Sequence, residues 1–168
     1  MARTIVYIDG HNFQYGMKTA YGHKYLWLDL VRLAARLRPQ DTIAQVRYFT
    51  AMTRNDEAAH GIQQTYLRAL AIHSGAGIDI QLGKHKRRTQ RCRLCLASWN
   101  SYEEKETDVN IAVSLVEDAA EQRADTAVVI SADSDLCPAI RAVSRIAPAQ
   151  RVYLAFPPKR RSKELENV

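Results

Sequence analysis

The chain has 168 residues, of which 46% are hydrophobic, enough for one domain with a substantial buried core. Its most apolar stretches, residues 5–8 and 127–130, are far shorter than the ~20 residues that a membrane span requires. The first residues also lack the charged head and long apolar region of a secretory signal. We therefore expect a single cytoplasmic domain with no membrane partner.

The formal net charge of +6 favours a polyanionic partner, because Lys and Arg side chains near phosphates release condensed counterions. Solubility alone explains such a surplus equally well. The three cysteines are too few for a disulfide framework and point to thiols or metal ligands.

The first half of the chain alternates between two hydrophobic periodicities. Short apolar runs bounded by turn residues indicate strands, and apolar positions that recur every three or four residues indicate helices. We predict strands over residues 4–8, 43–51 and 78–82, and helices over 26–37 and 55–73, the second capped by Asn55 or Asp56. Asp9 and Gly10 are predicted to form a turn after the first strand.

The second half begins with a polar, basic stretch from Lys84 to about Tyr102, which has no clear period and is predicted to be a loop or insertion. A long helix follows over residues 103–122, then the most apolar strand, 126–130. Residues 131–135 are predicted to open a helix that runs to 146, and residues 151–156 form the last strand.

This alternation predicts an α/β fold, because strands separated by helices form right-handed crossovers and a mainly parallel sheet with helices on both faces. In such sheets, ligands bind beyond the carboxyl ends of the strands. The residues that directly follow each strand are therefore the candidates for a functional site.

Four aspartates are predicted to converge at this edge. Asp9 follows the first strand, Asp133 and Asp135 follow the most buried strand, and Asp108 lies near the start of the preceding helix. Carboxylates held close together repel one another and need a cation, and hard oxygen ligands suit Mg²⁺ or Mn²⁺. Each aspartate alone has an ordinary explanation as a turn or helix cap, so the prediction depends on their convergence.

Three segments in this order resemble NYN domains, which are PIN-like nucleases: Tyr7–Phe13, Glu104–Ala112 and Val129–Leu136. The similarity is greatest to the bacterial LabA-like branch. The resemblance implies a Rossmann-like PIN fold, a Mg²⁺ or Mn²⁺ site and endonucleolytic cleavage of RNA. It also implies that Asp9, Asp108, Asp133 and Asp135 are the catalytic acids, with Asn12 beside them.

The resemblance covers almost the full chain. We expect a nuclease domain over residues 1–156 that carries the basic insertion 84–102. Residues 157–168 are expected to be a basic tail, with the truncation of a longer domain left as an open alternative.

The basic insertion is a candidate RNA-binding surface, because Trp99 and Tyr102 could stack bases beside its positive charges. Its alternative is a solvated charge run. The candidate phosphate-binding residues are Lys84, Lys86, Arg87, Arg88, Arg91 and Arg93, with Lys105 beyond them. For Lys105, pairing with Glu103 or Glu106 is the favoured alternative.

Cys92 and Cys95 supply half of a tetrahedral zinc site. The missing ligands favour a reduced thiol pair over bound Zn²⁺. Zinc binding stays open if His85, His60, His73 or the second chain of a homodimer completes the set.

Two other functions compete with the nuclease prediction. A haloacid-dehalogenase-type phosphohydrolase would need an aspartate two positions after Asp9, where His11 stands. A catalytically silent module that recruits RNA or a protein is compatible with every residue named above.

Overall fold

The computed structural model describes residues 1–54 and 56–168. The strands are β1 (Arg3–Asp9), β2 (Thr42–Thr50), β3 (Ile78–Leu82), β4 (Lys84–Arg91), β5 (Ser98–Lys105), β6 (Thr126–Ile130) and β7 (Arg151–Ala155). The helices are α1 (Gly10–Tyr21), α2 (Leu30–Leu37), α3 (Glu57–Ser74), α4 (Thr107–Ala120), α5 (Cys137–Ile146) and α6 (Lys163–Glu166). Short 3₁₀ turns occupy Gly75–Gly77 and Ser134–Leu136.

The central sheet has five parallel strands in the order β3-β2-β1-β6-β7, which confirms the predicted α/β fold class. Alternate residues of β1 face opposite sides of the sheet, as the period of two requires. Tyr7 packs with α4 and α5 on one face, whereas Val6 and Ile8 pack with α1, α2 and α3 on the other. Strand order reverses between β1 and β6, where a ligand crevice is expected.

The loop predicted for Lys84 to Tyr102 is wrong: β4 and β5 form an antiparallel hairpin outside the main sheet. Most of its side chains are exposed. Neither face is covered by a core, so the sequence has no apolar alternation from which a strand could be recognised.

The predicted start of the helix at residue 103 is also wrong, because residues 103–105 belong to β5 and α4 begins at Thr107. The helix predicted from residue 26 begins at Leu30, where Asp29 caps it. Asp56 caps α3, whereas Asn55 lies outside the described residues. Residues 131–135 lead into a 3₁₀ turn before α5 begins at Cys137.

Helix α1 was not predicted, because Asp9 and Gly10 were interpreted as a turn. That interpretation is wrong: Asp9 caps α1 and Gly10 is its first residue. Gly10 and Gly16 let α1 pack closely against the backbone of neighbouring segments. A Cβ on Gly10 would lie 2.6 Å from the Phe49 carbonyl oxygen, and one on Gly16 would lie 2.7 Å from the Pro158 carbonyl oxygen. Helix α1 can therefore start immediately at the end of β1.

The last twelve residues pack onto the domain. Pro157 and Pro158 lie against Gly16 of α1, and Leu165 of α6 is 1% exposed in the core on the α4 side of the sheet. Within residues 1–54 and 56–168, none of the helices has the length and apolar character needed to cross a membrane.

Candidate metal centre

Asp9 is the buried anchor of the predicted site. It ends β1, caps α1 and is 3% exposed. One carboxylate oxygen accepts from the Asn12 backbone N–H at 2.9 Å, and the other accepts from the Ser131 hydroxyl at 2.7 Å. Burial raises the pKa of Asp9, as does the charge of Asp133, while the hydrogen bonds from Asn12 and Ser131 lower it.

Ser131 joins the ends of β1 and β6. Its hydroxyl donates to Asp9 and accepts from the Asp133 backbone N–H at 3.0 Å. Asp133 in turn accepts from the Asp135 backbone N–H at 3.0 Å. The two strand ends are therefore linked by one continuous set of hydrogen bonds that fixes the position of Asp133 relative to Asp9.

Asp108, in the first turn of α4, lies within the electric field of the other acids. Burial, followed by the charges of Asp9, Asp133, Glu104 and Asp135, raises the pKa of Asp108 to about 6. We call Asp9, Glu104, Asp108, Asp133 and Asp135 the acidic cluster. The charges of the other three predicted aspartates therefore act on Asp108, and that of Glu104 acts with them.

Glu104 was missed as a site residue, although it lies in one of the quoted motifs. It reaches the cluster because the chain turns from β5 into α4 through Glu106, whose φ is 78°. Glu104 accepts from the Thr107 hydroxyl at 2.5 Å and lies 3.9 Å from His11 Nδ1. Glu104 lies in β5, a strand that the hydrophobic periodicity does not reveal. The sequence therefore gives no sign that this side chain lies near the other acids.

Arg160 is a second missed residue. Its Nε donates to the Asn12 side-chain oxygen at 3.1 Å, and its guanidinium lies 5.1 Å from the centre of the Tyr15 ring. The C-terminal segment therefore brings a positive charge to the side of the cluster where Asn12 lies.

The donor set of the acidic cluster fits a divalent cation. In the described part of the chain, Asp9, Asp108, Asp133 and Asp135 have no ion-pair partner, so their mutual repulsion is uncompensated. Among the same residues, no three His, Cys, Asp or Glu side chains form a ready-made ligand group. Mg²⁺ usually takes only one or two carboxylates from the protein and keeps several waters, so it does not need a group of three ligating side chains.

The raised pKa of Asp108 predicts how the stability of the metal-free protein depends on pH. Between about pH 4 and 6 the folded state binds the extra proton, so the free energy of unfolding should fall as the pH rises through this range. Melting curves in EDTA should show that Asp108→Asn raises the melting temperature at pH 7 and leaves it nearly unchanged at pH 4. Identical pH profiles for the two proteins would contradict this assignment.

The β4–β5 hairpin begins beside the acidic cluster. Gly83, just before β4, packs so tightly that a Cβ would lie 2.4 Å from the Thr107 hydroxyl. Glu104 pairs with His85 across the hairpin, and the same face continues through the pairs Arg87–Tyr102, Thr89–Asn100 and Arg91–Ser98. We call this the inner face of the hairpin.

The opposite face of the hairpin is partly neutralised. Arg88 lies 2.9 Å from Glu103, which also pairs with Lys105 at 2.8 Å, and Lys84 lies 3.2 Å from Glu106. Within residues 1–54 and 56–168, Lys86, Arg87, Arg91 and Arg93 have no ion-pair partner. Free positive charge is therefore present along the inner face and at the hairpin tip.

Cys92 and Cys95 lie in the turn at the tip, where the Cys92 N–H donates to the Ala97 carbonyl and the Leu96 N–H donates to the Cys92 carbonyl. The amides of Cys95 and Leu94, with the Cys95 thiol, lower the pKa of Cys92. His85 cannot be a third ligand, because it lies at the other end of β4, about seven residues away at ~3.3 Å per residue. Cys137 is buried in α5.

Comparison with known proteins supports the fold. The NYN domain family matches residues 3–168. A 6-hydroxy-3-succinoylpyridine 3-monooxygenase from Pseudomonas putida is 28% identical over an alignment 176 residues long, gaps included, that covers 84% of this chain and 55% of that protein. The chain thus spans about half the length of this relative. A crystal structure of a Vibrio parahaemolyticus protein of unknown function superposes with a TM-score of 0.66 at 19% identity, covering 99% of this chain and 88% of the other.

Proposed function

This chain belongs to the NYN domain family, and from that premise we propose that it is a divalent-metal-dependent endoribonuclease. The observation that carries the proposal is that the charges of Asp9, Asp133, Glu104 and Asp135 act on Asp108 and, together with its burial, raise its pKa to about 6. A cleavage assay on single-stranded and structured RNA, with and without Mg²⁺ or Mn²⁺, tests it. RNA binding without cleavage under all these conditions would favour the catalytically silent module.

The metal would be held by Asp9 and Asp133, with Asp108 and Asp135 beside them. When bound, a divalent cation neutralises charge on the scissile phosphate and lowers the pKa of a water. Asn12, oriented by Arg160, would position a phosphate oxygen or the water through its amide. Asp108 or Asp135 would accept the proton released by the attacking water.

We propose that the inner face of the hairpin carries the RNA backbone toward the acidic cluster. Arg87 and Arg91 lie on this face and share it with Glu104, so a strand bound along them reaches the acids. Tyr102 offers a ring on the same face, with the Arg54 guanidinium 5.9 Å from its centre. A base would stack on the Tyr102 ring, and phosphates would contact Arg87 and Arg91.

Replacing Arg87 and Arg91 together by Ala is expected to weaken RNA binding and to lower the slope of log affinity against log salt by about two, one for each lost phosphate contact. The matched control is Lys86→Ala with Arg88→Ala, which removes the same charge from the opposite face and should change the slope less. Binding measured by fluorescence anisotropy at several salt concentrations decides it. Equal effects of the two double variants would contradict a directed path.

For the cysteine pair, we propose that any zinc is shared between two copies of the chain. Each copy offers two thiols in an exposed turn, where Leu94 is 96% exposed and Leu96 is 59% exposed. Two such turns would supply the four ligands of a tetrahedral site. Arg91 and Arg93 lie beside the cysteines in sequence and would offset the negative charge of four thiolates.

Zinc content and dimerisation are therefore expected to rise and fall together. Protein purified without chelator should contain about one Zn²⁺ per dimer, and Cys92→Ser should lose both the metal and the dimer. Cys137→Ala is the control and should keep both. Metal analysis with light scattering decides the matter, and zinc bound to a monomer would refute the shared site.

A second candidate function is chemistry on a small heteroaromatic ring. The Pseudomonas putida relative is named for an activity on a substituted pyridine, and this chain has an aromatic-walled cavity of about 420 Å³ beside the acidic cluster. Turnover of a hydroxylated pyridine, without cleavage of RNA, would favour this candidate over the nuclease.

A further inference from the structure

The cavity lies between α1, the segment before α2, the end of β2 and α3. Its aromatic walls are Phe13, Tyr25, Tyr48 and Tyr66. Aliphatic side chains and the polar residues Gln14, Lys18, His23, Thr53, Asp56 and Gln63 complete the lining. A volume of about 420 Å³ falls within the range of small-molecule sites, ~300–1,000 Å³. The space is far larger than an ion needs, and its walls suit a flat, apolar ring.

The cavity is adjacent to the acidic cluster through α1 and the strand ends. In α1, Asn12 contacts Asp9, whereas the neighbouring Phe13 and Gln14 line the cavity. Tyr48 pairs with Ile8 in the sheet, one residue before Asp9, and a Cβ on Gly10 would lie 3.0 Å from its ring. The described residues that line the cavity include none of the five acids, so a ligand that reaches both places has to extend past the end of β1 and the start of α1.

The mouth of the cavity carries polar groups that suit a nucleotide. Gln14 is exposed there, and its amide nitrogen donates to the Tyr48 hydroxyl at 2.7 Å, which orients the amide oxygen as an acceptor. Gly10, Gln14 and Lys18 follow one another at intervals of four along α1, so they form a row that leads away from the acids. Lys18 places a positive charge beside the opening.

We infer that this cavity receives the base of one nucleotide of a single-stranded RNA substrate, next to the phosphodiester at the acidic cluster. The inference rests on the proposed ribonuclease function and adds a site for a base to it. Aromatic side chains stack on bases irrespective of sequence, and a side-chain amide can contact a base edge. A base bound there would fix which phosphate reaches the acids.

The test measures binding without cleavage, in EDTA, with the four nucleoside monophosphates, ribose 5-phosphate and 2-hydroxypyridine as probes. At least one nucleotide is expected to bind about tenfold or more tightly than ribose 5-phosphate, since only the nucleotide has a base to stack. Ala59→Trp, which fills the cavity from α3, should abolish that difference. Ala69→Trp, an exposed position elsewhere on α3, should leave it intact.

Equal affinity for nucleotides and ribose 5-phosphate, or unchanged nucleotide binding in Ala59→Trp, would overturn the inference. Tight binding of 2-hydroxypyridine alone would also overturn it and would support the small-ring function. Nucleotide binding without RNA cleavage would leave the cavity assignment standing and remove only the ribonuclease proposal. RNA cleavage without nucleotide binding would leave the ribonuclease proposal standing and remove the assignment of the cavity.

Discussion

Asp9→Asn is expected to lower the rate of RNA cleavage by about 10²-fold or more, because one metal ligand stabilises the transition state by several kcal/mol. Asn keeps the shape of the side chain and can still accept from the Asn12 backbone N–H, so the start of α1 should be preserved. Asp133→Asn and Asp135→Asn are expected to lower the rate similarly. Single-turnover cleavage at saturating Mg²⁺ and Mn²⁺ measures the effect.

Asp29→Asn is the matched control for Asp9→Asn. Asp29 also caps a helix through its side chain, accepting from the Arg32 backbone N–H at 3.0 Å, but it precedes α2 rather than ending a sheet strand. Its replacement should leave the cleavage rate unchanged. Comparable losses in both variants would mean that Asp9 acts only as a helix cap.

Asp118→Ala is expected to have the largest effect on stability, a loss of about 3–5 kcal/mol in the free energy of unfolding. Asp118 is fully buried and accepts from the Tyr7 hydroxyl at 2.7 Å, from Arg47 at 2.7 Å and from Arg123 at 3.0 Å. Its removal leaves the Arg47 side chain, which is 11% exposed, with only the 3.4 Å ion pair to Asp79 among residues 1–54 and 56–168. Denaturant unfolding measures the loss.

Asp118→Asn separates charge from shape at this position. The amide oxygen can still accept one hydrogen bond, so a smaller loss of stability is expected than for Ala. Because Asp118 joins α4 to β1 and β2, its loss would also disturb the position of Asp108 on α4. A variant as stable as the wild-type protein would contradict the structural role assigned to this carboxylate.

Replacing Asp108 and replacing Asp118 are thus expected to change the stability of the metal-free protein in opposite directions, although the two acids look alike in the sequence. Asp108 lies among like charges, so neutralising it should stabilise the metal-free protein at pH 7. Asp118 lies among two arginines and a tyrosine hydroxyl, so removing it should destabilise the protein. Both sit on α4, and only their neighbours in space distinguish them.

The parallel sheet could be predicted from the sequence because its strands are buried on both faces. Residues 4–8 and 126–130 are apolar runs for that reason, and the aspartates that follow them had to meet at one edge. Topology alone therefore predicts that Asp9, Asp108 and Asp133 lie at the same edge of the sheet.

The hairpin, the position of Arg160 and helix α1 depend on contacts that leave no hydrophobic periodicity in the sequence. The β4–β5 hairpin is polar on both faces, so neither its strands nor the reach of Glu104 could be inferred. Arg160 contacts Asn12 across 148 residues of sequence. Helix α1 was obscured by Gly10, which was interpreted as a turn residue but begins the helix and packs closely against β2.

The most direct measurement of the central proposal is RNA cleavage by one preparation of the wild-type protein before and after removal of divalent metal. The acidic cluster predicts cleavage in Mg²⁺ or Mn²⁺, no cleavage in EDTA, and recovery when the metal is restored. Asp9→Asn from a parallel preparation should show at most about one hundredth of the restored rate. Cleavage that persists in EDTA, or an Asp9→Asn variant with wild-type turnover, would contradict the mechanism.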